Sequence, residues 1–101
     1  MQPTLLQCNT QTLTAVFVRK ILASLQGKIA VALPEGIESI APECFKNSVI
    51  EHIDLPTSLV VIGEKAFDGC VHLNTVNFAA GSQLHEIGND AFSLCENLKH
   101  I

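Results

Sequence analysis

Apolar residues recur at matching positions in three successive segments of the chain. The segments begin at Leu33, Leu55 and Phe78, with a spacing of about 22–25 residues, and we call them the first, second and third units. Four apolar columns stay in register across them: Ile40, Ile62 and Ile87; Phe45, Phe67 and Phe92; Ile50, Leu73 and Leu98; Ile53, Val76 and Ile101. One such unit cannot bury its apolar residues alone, whereas stacked units bury one another's, so the pattern predicts a stack of coils.

Within a unit, the spacing of apolar residues predicts two short strands joined by a turn. The stretch "LNTVNF" alternates as a half-buried strand does, which points Leu73, Val76 and Phe78 inward. A second short strand is expected at "LVVIG" and "LHEIG". The stretches "GEKAF" and "GNDAF" are long enough only for a single helical or 3₁₀ turn. We expect Gly63 and Gly88 to supply a backbone angle that other residues avoid.

The first 28 residues have a different period. Thr10 or Thr12 can cap a helix over about residues 11–26. Its apolar face would consist of Leu13, Val16, Phe17, Ile21, Leu22 and Leu25. Because a stack needs atypical ends to shield its terminal core, residues 1–28 are predicted to be an α-helical cap and residues 29–101 to be the repeats.

The units resemble the BspA-like class of leucine-rich repeats. "LPTSLVVIGEKAFDGCVHLNTV" follows that pattern of Leu, Pro, an aliphatic residue, Ile-Gly, Ala-Phe, Cys and Leu, and "SQLHEIGNDAFSLCENLKHI" follows it nearly as well. The first unit departs from it at Ala41, Cys44 and Ser48. The resemblance covers residues 33–101 and implies a β-rich solenoid that binds proteins or surfaces, often at the cell exterior, without catalytic residues.

Together, the period and the resemblance predict a mostly β fold. We expect a short leucine-rich-repeat solenoid of about three coils of about 22–25 residues, with an N-terminal α-helical cap. The predicted function is a non-catalytic protein-interaction or adhesion module.

Composition narrows the classes of function. Hydrophobic residues make up 48% of the chain and charged residues 16%, which is too apolar for a disordered chain. The net charge of −4 and the absence of Trp and Tyr argue against nucleic acid, which needs clustered basic residues and stacking aromatics. No stretch approaches the ~18 apolar residues of a membrane span.

The N-terminal segment and the family resemblance lead to different predictions for the cellular compartment. The N-terminal segment lacks the basic region of a signal peptide, because Arg19 and Lys20 follow its apolar run. The chain is therefore expected in the cytoplasm if residue 1 is the natural start, whereas the resemblance implies the cell surface or secretion.

The repeated cysteines raise the question of reactivity. Cys70 and Cys95 occupy equivalent positions, so their side chains would point in parallel, which suits a disulfide poorly. We expect them to pack as small apolar groups. The alternative is a small metal or thiol protein using Cys70, Cys95 and the histidines. Because the ligand spacing is unlike that of zinc sites, we predict no metal and no cofactor. Because the thiols are expected to be buried, we also predict no catalytic residue.

Two columns of polar residues form the candidate binding face. Ala30, His52, Thr75 and His100 make one column, and Ala32, Asp54 and Asn77 the other. Repeat folds use such extended faces for partners, so we predict that a protein binds to His52, Asp54, Thr75, Asn77 and His100. His52 and His100 are two units apart in the first column and would lie ~10 Å from each other, too far to share one metal ion.

The C-terminal end of the repeats has no predicted cover, since the sequence stops within a repeat. Leaving Phe92, Leu98 and Ile101 exposed would forfeit about 1.5–3 kcal/mol for each side chain. We therefore predict self-association through this end. The alternative is that the repeats are truncated there, and that the chain is the N-terminal capping fragment of a longer array with a structural role.

Overall fold

The computed structural model describes residues 4–5, 11–18 and 30–99. Its strands are β1 (Thr4–Leu5), β2 (Thr12–Leu13), β3 (Ala30–Ala32), β4 (Ser39–Ile40), β5 (His52–Leu55), β6 (Val61–Ile62), β7 (Thr75–Phe78) and β8 (Glu86–Ile87). They form two parallel sheets, which we call the first sheet (β1-β3-β5-β7) and the second sheet (β2-β4-β6-β8). The regular structure is mostly strand with little helix, in agreement with a fold of the leucine-rich-repeat type.

The strand register confirms two of the four predicted apolar columns within the described residues. Ile53 pairs with Val76 in the first sheet, and the second sheet aligns Ile40, Ile62 and Ile87. Ile101, the last member of the first-sheet column, lies outside the described residues. Along β5 every second residue is buried, because successive side chains of a strand point to opposite faces.

Backbone hydrogen bonds also join the turns of successive units, which lie between the two strands of each unit. The backbone N–H of Phe45 donates to the carbonyl of Ala66, and that of Phe67 donates to the carbonyl of Ala91, each at 2.7 Å. The rings of Phe45, Phe67 and Phe92 stack nearly parallel, with centroids 5.0 and 5.1 Å apart. The second predicted column is therefore a continuous stack of aromatic rings, of which Phe45 and Phe67 are buried and Phe92 is partly buried.

The N-terminal segment corrects the predicted helix start. Thr12 and Leu13 form β2 and pair with β4, so the prediction of a helix from about residue 11 is wrong. The described helical residues are 15–18, and the hydroxyl oxygen of Thr14 accepts a hydrogen bond from the N–H of Phe17 as an N-cap does.

The physical reason for that error is pairing with a neighbouring strand. The backbone of Leu13 pairs with β4, which places Leu13 in the column of Ile40, where its side chain is fully buried. Residues 19–26 of the predicted helix and Thr10 lie outside the described residues. The predicted boundary between residues 28 and 29 falls beside them and stays a prediction.

Gly63 and Gly88 are glycines because a side chain would have no space there, and not because of their backbone angles. Neither has a positive φ, which corrects the reason we gave for them. A Cβ added at Gly63 would lie 2.6 Å from the backbone nitrogen of Pro42 and 2.7 Å from the carbonyl oxygen of Ile40. These glycines let the backbones of successive units come into contact.

No helix within residues 4–5, 11–18 and 30–99 has the length and apolarity needed to cross a bilayer.

Candidate protein-binding face

The outer face of the first sheet brings together four of the five predicted binding residues. Parallel pairing aligns His52 with Thr75 and Asp54 with Asn77. The intervening residues point into the core, and Ile53 and Val76 among them are at most 2% exposed. His100, the fifth predicted residue, lies outside the described residues. We call His52, Asp54, Thr75 and Asn77 the polar face.

Hydrogen bonds join three of the four side chains of the polar face. The Nε2 atom of His52 lies 2.7 Å from Oδ1 of Asp54, and the Nδ2 group of Asn77 donates to the same oxygen at 3.2 Å. The hydroxyl of Thr75 donates to Oδ1 of Asn74 at 2.7 Å. Because Oδ1 of Asp54 accepts on two sides, the carboxylate cannot rotate without losing a hydrogen bond. His52 and Asp54 remain about one-third exposed, at 29% and 35% of their side chains.

An apolar strip continues the polar face toward the N-terminal strands. Ala32 pairs with Asp54 on one side and with Leu5 on the other. Leu5 is 53% exposed, whereas Ala30, beside His52, is only 5% exposed. Leu5 was not predicted from the sequence, because residues 1–28 carry no repeat that would align it with this column.

The repeat units carry an excess of acidic residues. All ten Asp and Glu residues of the chain lie between Glu35 and Glu96, and the Lys and Arg residues from residue 30 onward are Lys46, Lys65 and Lys99. None of these three lysines belongs to a strand of the first sheet. The stacked units therefore carry three positive charges against ten negative ones, and their field favours a cationic ligand.

The cysteines are packing groups with a repeated hydrogen bond. The thiol of Cys70 donates to the carbonyl of Phe45 at 3.0 Å, and the thiol of Cys95 donates to the carbonyl of Phe67 at 3.1 Å. Cys70 is fully buried and both thiols are free, which confirms the prediction of packing at Cys70. Burial raises the pKa of the Cys70 thiol to about 12 and also raises that of Cys95.

Among the described residues, the Cys70 thiol is not activated as a nucleophile and no group of metal ligands is assembled. A thiol whose pKa is about 12 is protonated at neutral pH and cannot act as a nucleophile. In the part of the chain that the structure describes, no three His, Cys, Asp or Glu residues come close enough to hold a metal ion. Cys8 and His100 lie outside that part.

The third unit exposes apolar positions that the second unit buries. Ile87 is 49% exposed, whereas its partner Ile62 is fully buried. Phe92 and Leu98 are only partly buried, and the prediction that they belong to a self-association end stays a prediction. Ile101, the third residue of that prediction, lies outside the described residues. The sequence analysis did not single out Ile87, although it belongs to the same unit as Phe92 and Leu98.

Comparison with known proteins gave one match. Residues 24–101 match the family model described as "BspA type Leucine rich repeat region (6 copies)". Nothing matched the chain among curated proteins or among solved structures. The family match starts nine residues before the first unit and includes all three units.

Proposed function

The chain belongs to the BspA-type leucine-rich repeat family, and from this premise we propose that it is a non-catalytic protein-interaction module. We further propose that the units form a short solenoid of about three coils over residues 29–101, with residues 1–28 as an N-terminal cap that includes a helical turn. Such folds use their surfaces rather than enclosed sites, because the stacked units present an extended array of side chains.

The observation that supports this function is the order of the polar face. Four polar side chains from β5 and β7 project from a parallel sheet in fixed register, and three of them are joined through Oδ1 of Asp54. Side chains that are already ordered lose little conformational entropy when a partner binds.

A photo-crosslinking experiment tests the function and can identify the partner. The photoreactive residue p-benzoylphenylalanine is introduced in place of Thr75 on the polar face, or in place of Val61 on the outer face of the second sheet as the matched control. Each variant is expressed in the source cells and irradiated. We expect a discrete protein adduct with the Thr75 variant and none with the Val61 variant. The same adducts from both positions, or none from Thr75, would contradict the proposal.

A second candidate function is self-association through the C-terminal end of the repeats. It is favoured by the exposure of Ile87, whose equivalent in the preceding unit is fully buried. A second copy that covers Ile87, Phe92 and Leu98 would recover about 1.5–3 kcal/mol for each large side chain buried. A structural role as the N-terminal capping part of a longer array is the alternative, in which further repeats would cover this end.

Light scattering coupled to size exclusion tests the second candidate. We expect the 101-residue chain to form a dimer whose fraction rises with concentration, and the Ile87→Asp variant to stay monomeric. Val49→Asp is the matched control, because Val49 is 64% exposed but belongs to the first unit. A parent chain that is monomeric at every concentration, or a dimer that Val49→Asp weakens equally, would contradict self-association through this end.

A further inference from the structure

We propose that the polar face binds an arginine side chain of the protein partner. Its guanidinium would lie on Asp54 and Asn77, and its aliphatic stem would lie over Ala32. This inference rests on the proposed function and specifies the chemistry of the partner that the face accepts.

Asp54 provides the anionic acceptor. Its Oδ1 atom is used twice, by His52 and by Asn77, and no described residue donates a hydrogen bond to its Oδ2 atom. The carboxylate is therefore held in one orientation with one oxygen available. A hydrogen bond from a cation to a carboxylate is shorter and about twice as strong as a neutral one.

Asn77 provides a second acceptor beside the first. Its Nδ2 group donates to Asp54, so its own Oδ1 atom is left as an acceptor without a described donor. The two residues are paired on adjacent strands, at the ~4.8 Å spacing of a sheet. A guanidinium presents several N–H groups in a rigid plane and can reach both oxygens, whereas a lysine ammonium is a compact point charge.

Ala32 and Leu5 provide the surface for the stem. Ala32 is the partner of Asp54 on β3, and its side chain is only a methyl group. Leu5 is the partner of Ala32 on β1 and is 53% exposed. Arginine commonly lays its methylene groups along apolar surface while its charged end stays at a polar site.

The net negative charge of the units favours a partner with a cationic side chain. Ten acidic and three basic side chains lie between residues 30 and 99, and no lysine belongs to the strands of the first sheet. The same field disfavours partners that would bring a carboxylate or phosphate to Asp54. A partner segment with an exposed arginine is therefore complementary both to the immediate contacts and to the surrounding charge.

A peptide titration followed by NMR tests the inference. The probe is a seven-residue Gly/Ser peptide with one central arginine, added to the ¹⁵N-labelled chain at low salt. The control peptide carries citrulline, which keeps the shape of arginine but is uncharged. We expect weak, saturable shift changes at Asp54, Asn77 and Ala32 with the arginine peptide, and an affinity about tenfold lower with the citrulline peptide.

Two variants separate a specific site from general attraction to an acidic protein. Asp54→Asn preserves the size of the side chain and should weaken binding of the arginine peptide about tenfold. Asp90→Asn removes the same charge in the turn of the third unit and should leave binding within twofold. Asp90 is exposed with φ 58°, a conformation that asparagine tolerates. Equal losses in both variants, or shifts spread over all acidic residues, would overturn the inference.

The outcomes also distinguish this inference from the proposed function. A partner that crosslinks at Thr75 but is not displaced by the arginine peptide, and binds Asp54→Asn as well as the parent, would overturn the arginine assignment alone. The absence of any partner at Thr75 would instead contradict the proposed function.

Discussion

At the scale of single residues, the thiols of the repeats hold neighbouring units together. The thiol of Cys70 is fully buried and donates to the carbonyl of Phe45 in the preceding unit, and Cys95 repeats the contact with Phe67. The packing of these cysteines could be predicted from the sequence, because they occupy equivalent positions in two units and no basic residue lies beside them. The hydrogen bond could not be predicted, because it depends on how far one unit lies from the next.

Alkaline pH should destabilise the fold through Cys70. The pKa of this thiol rises from 9.0 to about 12 on folding because it is buried, so between these values the folded chain keeps a proton that the unfolded chain releases. The free energy of unfolding should therefore be unaffected below pH 9 and fall as pH rises toward 12. We expect Cys70→Ala to reduce the loss between pH 8.5 and 10.5 by about 2 kcal/mol, measured by urea unfolding in reductant.

Cys95→Ala is the matched control, because Cys95 is only partly buried and should contribute less to the pH dependence. If the parent and Cys70→Ala lost stability in parallel over this range, the burial of the Cys70 thiol would not be the cause.

Gly63→Ala should destabilise the fold by about 3 kcal/mol, as measured by urea unfolding. A Cβ at this position would overlap the backbone at Pro42 and Ile40, and backbone atoms cannot move aside as a flexible side chain can. Gly81→Ala is the matched control: Gly81 has φ +80° but nothing within 4 Å of an added Cβ, so only the cost of about 1 kcal/mol for the backbone angle applies. Equal losses in the two variants would refute the role of close contact.

At the scale of elements, the stacked turns place Leu94 in an unfavourable backbone conformation, which the sequence analysis did not predict. Leu94 has φ 61° and is 65% exposed, at the position that Asn47 and Gly69 occupy in the earlier units. Asparagine and glycine tolerate this conformation, whereas leucine is strained in it. The repeat alignment shows the substitution, but only the structure shows that the position requires a positive φ.

Leu94→Asn should stabilise the chain by about 1 kcal/mol, because it relieves that strain without removing a buried contact. The midpoint of thermal unfolding is the appropriate measurement. Leu94→Ala is the control, since it removes the exposed leucine but keeps a side chain in the unfavourable conformation. A similar gain from alanine would mean that exposure, and not backbone strain, accounts for the effect.

The strands of the units could be predicted because three copies of one pattern reinforce each other. The N-terminal segment has no such copies, and its apolar spacing fits a helix as well as a strand. Pairing of Thr12 and Leu13 with β4 decides between them, and that contact joins residues far apart in the sequence. A local pattern cannot show it.

At the scale of the whole molecule, the parallel register turns sequence columns into surfaces. Aligning the units was enough to bring His52, Asp54, Thr75 and Asn77 together, because equivalent residues in successive units must share a face. The hydrogen bonds that centre on Asp54 could not be predicted, since they depend on side-chain orientation. The position of Leu5 beside Ala32 could not be predicted either, because it lies outside the repeats.

The most direct test of the central claim is an NMR footprint of the partner on the ¹⁵N-labelled chain. The protein captured at Thr75 is titrated in, and the amide shift changes are mapped along residues 30–99. We predict the largest changes on the outer face of the first sheet, at His52, Asp54, Thr75 and Asn77, with Val61 and Glu86 on the second sheet unchanged. A footprint centred on the second sheet, or on Ile87 and Phe92 at the end of the repeats, would contradict the claim that the polar face is the binding surface.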